Sequence, residues 1–125
     1  MKKIFQLLVV ITLSLMTFSC YYDEFPEEAS LPIPTNVSYQ SDIQPLFNQN
    51  CISCHGGNTA PDLRSGNSYS ALINGGFVIP SDVENSILYK SLKGDGARLM
   101  PPSGELSAAK INLVRSWIAS GALNN

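Results

Sequence analysis

Apolar residues recur at helical spacing in four stretches of the chain. Ile43, Leu46 and Phe47 follow i, i+3, i+4 and mark one face of a helix beginning near Ser41 or Asp42. Pro45 falls in its first turn, where a missing N–H is tolerated. Ser68 to Asn74 reads as a short helix with Tyr69, Leu72 and Ile73 inward, ended by Gly75 and Gly76. Ser81-Asp82-Val83-Glu84 fits a capping box opening a third helix, whose apolar face is Val83, Ile87, Leu88 and Leu92 and which Gly94 and Gly96 close. The last helix is the clearest: Ile111, Val114 and Ile118 recur along it with Trp117 on the same side. Ser107 stands at its cap, Leu106 at a staple position, and Gly121 where a left-handed residue is favoured. Phe47 and Trp117 are expected to meet where the first and last helices cross. No internal repeat and no convincing strand pair is present.

The first twenty residues have a different character. Lys2 and Lys3 precede an uncharged apolar run from Ile4 to Leu15. That run is shorter than the ~20 residues a membrane span needs, and reads as the core of a secretory leader. Cys20 follows Thr17-Phe18-Ser19 and resembles a bacterial lipoprotein box, although Thr17 and Phe18 replace the usual aliphatic and small residues. Cleavage before a free Cys20 is the alternative. A free thiol in an exported protein is unusual, so lipidation of Cys20 is favoured. A multi-chain lipid would hold the protein stably on a membrane, where one chain binds only marginally.

The pattern divides the chain into a lipoprotein-type signal peptide (1–19), an anchor Cys with an acidic, Pro-rich tether (20–37) and a folded domain (38–125). Asp23, Glu24, Glu27 and Glu28 alternate in the tether with Pro26, Pro32 and Pro34, without apolar periodicity. Across 125 residues the formal charge is −2. Loss of residues 1–19 would leave six basic and ten acidic residues, a net of −4. No basic block suggests nucleic acid. Gly and Pro together number 17, so a loop-rich domain is expected. A domain this small buries little surface and often depends on a staple.

Cys51-Ile52-Ser53-Cys54-His55 supplies a candidate for that staple. C-x-x-C-H is the attachment signature of c-type haem. Two intervening residues let both thiols reach neighbouring vinyl groups, and the next residue carries an imidazole under the iron. Three other readings compete. A redox disulfide usually sits in a βαβ context, which is absent here. A closed zinc site needs a fourth ligand that the folded domain does not offer. A plain structural disulfide leaves His55 unexplained.

His55 is the only His, and after leader removal Met100 is the only Met. Two His ligands from one chain are therefore impossible. Met100 lies in Arg98-Leu99-Met100-Pro101-Pro102, where the prolines stiffen the loop. A Met packed in the core is the bland alternative. Next to a haem motif, Met100 is favoured as the distal ligand. Two axial ligands leave no open position on iron, which suits outer-sphere electron transfer and suits substrate binding poorly. Leu63, Tyr69, Ile87, Leu88 and Trp117 are candidates to line the haem.

These residues resemble the monohaem class I cytochrome c family, closest to the planctomycete-type domain. The resemblance rests on Asp42-Ile43-Gln44-Pro45-Leu46-Phe47, the C-x-x-C-H-Gly56 run, Ile79-Pro80, Glu84-Asn85-Ser86, Leu88-Tyr89-Lys90, Met100-Pro101-Pro102, and Trp117 to Ala122. It implies an all-α fold of three to five short helices wrapped around one covalently bound haem c. It also implies Cys51 and Cys54 as thioether sites, His55 as proximal ligand and Met100 as distal ligand.

The expected function is single-electron transfer in a bacterial cell envelope, without catalysis, on an exported protein anchored at the outer membrane. Its partners would be redox proteins of the respiratory chain or an envelope oxidoreductase, with a membrane reached through the lipid and no nucleic acid. An open-site, peroxidase-like or gas-binding haem protein is one alternative. A haem-bearing interaction subunit of an envelope complex is another.

Overall fold

A computed structural model of the protein describes residues 1–4, 6 and 33–125. The chain divides into two units, Met1–Ser30 and Leu31–Asn125. The second holds a π-helical turn (Tyr39–Ile43) and four α-helices: α1 (Gln44–Asn50), α2 (Ser68–Asn74), α3 (Ile87–Lys93) and α4 (Ala108–Ala119). Among the described residues there is no strand, only an isolated bridge between Ile79 and Asp82. The fold is the small all-α arrangement expected. No helix among the described residues is long and apolar enough to cross a membrane.

The π-helical turn opens on a reciprocal cap. The Ser38 hydroxyl accepts the Ser41 N–H at 3.3 Å, and the Asp42 carboxylate accepts the Ser38 N–H at 2.8 Å. The turn runs directly into α1, with Pro45 in the first turn of that helix. Ile43, Leu46 and Phe47 are all buried, as their spacing requires. Helix α2 has the bounds read from the sequence, with Leu72 buried and Gly75 at its end. Helix α4 buries Ile111, Val114, Trp117 and Ile118. Ser107 occupies its N-cap position without a side-chain capping bond. At the other end Gly121 takes φ +101°, and two bonds close a Schellman motif: Gly121 N–H to Ile118 O at 3.0 Å and Ala122 N–H to Trp117 O at 2.9 Å.

Two expectations are corrected. Helix α3 begins at Ile87, not at the Ser81–Glu84 capping pattern. Ser81 has φ +65° and donates its N–H to Ile118 O at 2.9 Å, so it is bound to α4 rather than capping α3. Ser86 fixes the segment instead. Its hydroxyl accepts the Ile79 N–H at 3.0 Å and donates to Asp82 O at 2.7 Å. Ile87, assigned to the inward face, is exposed.

Where the first and last helical segments cross, Tyr39 occupies the centre, against both Trp117 and Phe47. Its ring lies 5.1 Å from Trp117, 5.3 Å from Tyr69 and 6.4 Å from Phe47, centroid to centroid. Tyr39 and Trp117 are fully enclosed by protein. Such aromatic pairs contribute about 0.5–1.5 kcal/mol beyond the burial of their area. The Trp117 indole N–H donates to Leu123 O at 2.9 Å, and the Tyr69 hydroxyl donates to Ala122 O at 3.0 Å. Both bonds hold the segment after α4 against the aromatic cluster.

Candidate functional site

Cys51 is the C-cap of helix α1, and the chain turns once more before leaving the helical path. The Cys51 N–H still bonds Phe47 O at 2.9 Å. The Cys51 carbonyl then accepts two bonds, from Cys54 N–H at 3.1 Å and from His55 N–H at 2.9 Å. This i, i+3, i+4 closure gathers Cys51, Cys54 and His55 on one face of a single turn. Gly56 follows because nothing larger fits: a Cβ there would lie 2.7 Å from the Ile52 carbonyl oxygen.

Both thiols are free. Cys51 is half-buried and Cys54 is exposed. Burial pushes the Cys51 thiol up to about 11, against a smaller opposing pull from the Lys110 ammonium. Lys110 reaches this end of α1 from α4 and donates to Asn50 Oδ1 at 3.2 Å. Among the described residues no group of three or more His, Cys, Asp or Glu is arranged to hold a metal ion.

The His55 ring has one engaged nitrogen. Its Nδ1 lies 3.1 Å from the Pro61 carbonyl oxygen. A carbonyl can only accept, so Nδ1 is the donor, which in the neutral ring leaves the lone pair on Nε2. That tautomer leaves Nε2 as the nitrogen able to bind a metal. The Pro61 carbonyl is held in turn by its neighbours. Leu63 N–H donates to His55 O at 2.8 Å. Asp62 pairs with Arg64 at 2.8 Å and accepts from Asn67 Nδ2 at 2.8 Å. The hydrogen bond from the Arg64 side chain holds the Asp62 carboxyl well below the usual carboxylate range. The Arg64 guanidinium folds over Gly57, whose φ is +104° and where a Cβ would meet Arg64 Nη2 at 2.6 Å. Neither Asp62 nor Arg64 stands out in the sequence, because an exposed pair two residues apart carries no motif.

Met100 is carried by a different segment, the loop between α3 and α4. Gly94 ends α3 in the left-handed region with φ +65°. Met100 N–H donates to Ser91 O at 2.8 Å, which hooks the loop back onto α3. Lys93 and Glu105 pair across the loop at 3.3 Å. Met100 itself is half-buried. Cys20 and most of the tether lie outside the described residues.

The candidate lining residues separate into two groups. Trp117 is fully enclosed and Leu63 is 3 % exposed, so protein atoms leave them almost no face for a further group. Leu88 and Tyr69 are half-buried, while Ile87 at 45 % presents open apolar surface. Two free thiols on one face, an imidazole with its Nε2 available and apolar side chains with open surface suit a covalently bound, largely apolar macrocycle.

An all-α domain of this size with this turn defines a cytochrome c domain. The family model of cytochrome C oxidase, cbb3-type, subunit III matches residues 40–118, and the chain belongs to that family. No curated protein and no solved structure matches it. Membership makes the cofactor haem c, covalently bound and containing iron, and makes one-electron transfer with redox partner proteins its general role.

Proposed function

We propose that this protein is a monohaem electron carrier of the bacterial cell envelope whose iron is closed by His55 and Met100. Cys51 and Cys54 would hold the haem through thioether bonds. His55 would present Nε2 to the iron, oriented by its Nδ1–H bond to Pro61, and Met100 would supply the thioether sulfur on the other side. When bound, the haem supplies a one-electron redox couple. The chain's own part would be to hold the iron through His55 and Met100 and leave no position for a substrate, which would make the protein a carrier and not an enzyme. The observation that carries this reading is the turn that puts Cys51, Cys54 and His55 on one face with Nδ1 already engaged. The Met100 assignment is supported by its being the only Met in residues 21–125, on a loop hooked to α3.

The same proposal includes a planctomycete-type domain at 38–125, a lipoprotein signal at 1–19 and a tether at 20–37 that starts from a lipidated Cys20. The partners would be redox proteins of the respiratory chain or an envelope oxidoreductase, met at the outer membrane on its periplasmic or surface side.

Mass spectrometry of protein matured in a haem-attaching bacterial host tests the attachment. The 51–55 peptide should carry one haem. Cys51→Ser and Cys54→Ser should each leave a single thioether, visible as a shifted band in alkaline pyridine. A haem that acid–acetone extracts from the wild type would refute covalent attachment at this turn. Metabolic labelling with a fatty acid should mark the wild type and not Cys20→Ala, and equal labelling of both would refute the anchor.

A further inference from the structure

A chain of buried hydrogen bonds runs under α1 with a fixed direction. Gln44 is 4 % exposed and Ser68 1 %, so neither exchanges its partners for water. Gln44 Nε2 lies 3.1 Å from Leu63 O and 2.9 Å from Asn48 Oδ1. The Leu63 carbonyl can only accept, which fixes the amide with Nε2 toward it and Oε1 toward α2. Oε1 then accepts from the Ser68 hydroxyl. That hydroxyl, having donated, accepts from the Tyr39 hydroxyl at 2.6 Å. One arrangement satisfies every member, so the chain resists local rearrangement.

Its far end is the backbone that orients His55. Leu63 uses its carbonyl for Gln44 and its N–H for His55 O at 2.8 Å. Two residues earlier, the Pro61 carbonyl meets His55 Nδ1 at 3.1 Å. The Pro61–Leu63 segment is thus gripped from α1 on one side and grips His55 on the other. We propose that Gln44 is a positioning residue for His55, holding the Pro61–Leu63 backbone so that the ring keeps its Nδ1–H bond. This rests on the reading of His55 as the iron ligand. A firm Nδ1–H bond makes the imidazole a more basic donor, which favours ferric over ferrous iron. Loosening it shifts the balance the other way.

The test uses holoprotein carrying Gln44→Met, which keeps side-chain length and removes both polar ends. Val114→Ala is the comparison, a core cavity in α4 at a residue that makes none of the chain's hydrogen bonds. Gln44→Met should raise the midpoint potential and speed hydrogen exchange at His55 Nδ1–H and Leu63 N–H. Val114→Ala should lower the melting temperature without either change. A Gln44→Met potential equal to wild type, or one matched by Val114→Ala, overturns the proposal. Should Gln44→Met fail to mature, wild-type holoprotein still decides: both Gln44 Nε2 protons should exchange as slowly as core amides, and fast exchange overturns the clamp. A wild-type haem spectrum lacking low-spin His ligation would instead refute the ligand reading, which separates the two failures.

Discussion

His55 Nδ1 and the Pro61 carbonyl oxygen stand 3.1 Å apart, and this contact sets the tautomer of the only imidazole in the chain. Nδ1 must be the protonated nitrogen. In the holoprotein the His55 Nδ1–H should therefore be observed as a protected resonance by NMR, with Nε2 carrying no proton. A protonated Nε2 would contradict the proposal that His55 binds the iron.

Gly56 tests the tightness of the turn. A Cβ would sit 2.7 Å from the Ile52 carbonyl oxygen, which is main chain and cannot swing aside. Gly56→Ala should cost about 1–3 kcal/mol, the usual range for an over-packed site. Thermal unfolding of holoprotein would show this as a melting temperature lowered by several degrees.

Tyr39 gives the fold a pH dependence at the alkaline end. Burial, the largest cause, pushes its hydroxyl up to about 12, against a smaller lowering by the Ser68 hydrogen bond. Between the unfolded value near 10 and about 12, the unfolded chain has lost the proton and the folded chain retains it. The stabilisation is therefore complete below pH ~10 and is lost as pH rises toward 12, at up to about 1.4 kcal/mol per pH unit. Tyr39→Phe removes the group that titrates. Its denaturant midpoint should be lower than wild type at neutral pH, by the equivalent of roughly 1 kcal/mol for the lost bond to Ser68. The gap should narrow or invert above pH 10.

Ser86 should behave as a buried tie. Its hydroxyl is fully enclosed and serves both the Ile79 N–H and the Asp82 carbonyl. Ser86→Ala leaves those groups without their side-chain partner at the entry to α3, at a cost of about 1–3 kcal/mol. Urea unfolding should show a lower midpoint with an unchanged slope.

The apolar faces were legible because they are local. Ile43, Leu46 and Phe47, and the Ile111–Ile118 stripe, repeat at helical spacing and are buried as that spacing requires. The C-x-x-C-H turn was legible for the same reason, its closure lying within five residues. The errors come from partners distant in sequence. Ser81-x-x-Glu84 reads as a capping box only while the Ile118 carbonyl, which takes the Ser81 N–H, is out of view. Tyr39 precedes the helical stripe and has polar neighbours in sequence. Trp117 and Tyr69 make it central, and they join it only in the fold. Gln44 reads as an ordinary polar helix position, since its partners Leu63 and Ser68 follow it by 19 and 24 residues. Pro61 as the partner of His55 is hidden likewise, because a main-chain carbonyl has no residue signature.

The chemistry proposed for the site depends on Met100 as the second iron ligand. Absorption of the oxidised holoprotein should show low-spin c-type haem with a weak red band from methionine-to-iron charge transfer. Met100→Ala should abolish that band, leave the haem covalently attached and open the reduced iron to carbon monoxide. A wild type lacking the band, or a Met100→Ala variant that keeps it, would contradict a site closed by His55 and Met100.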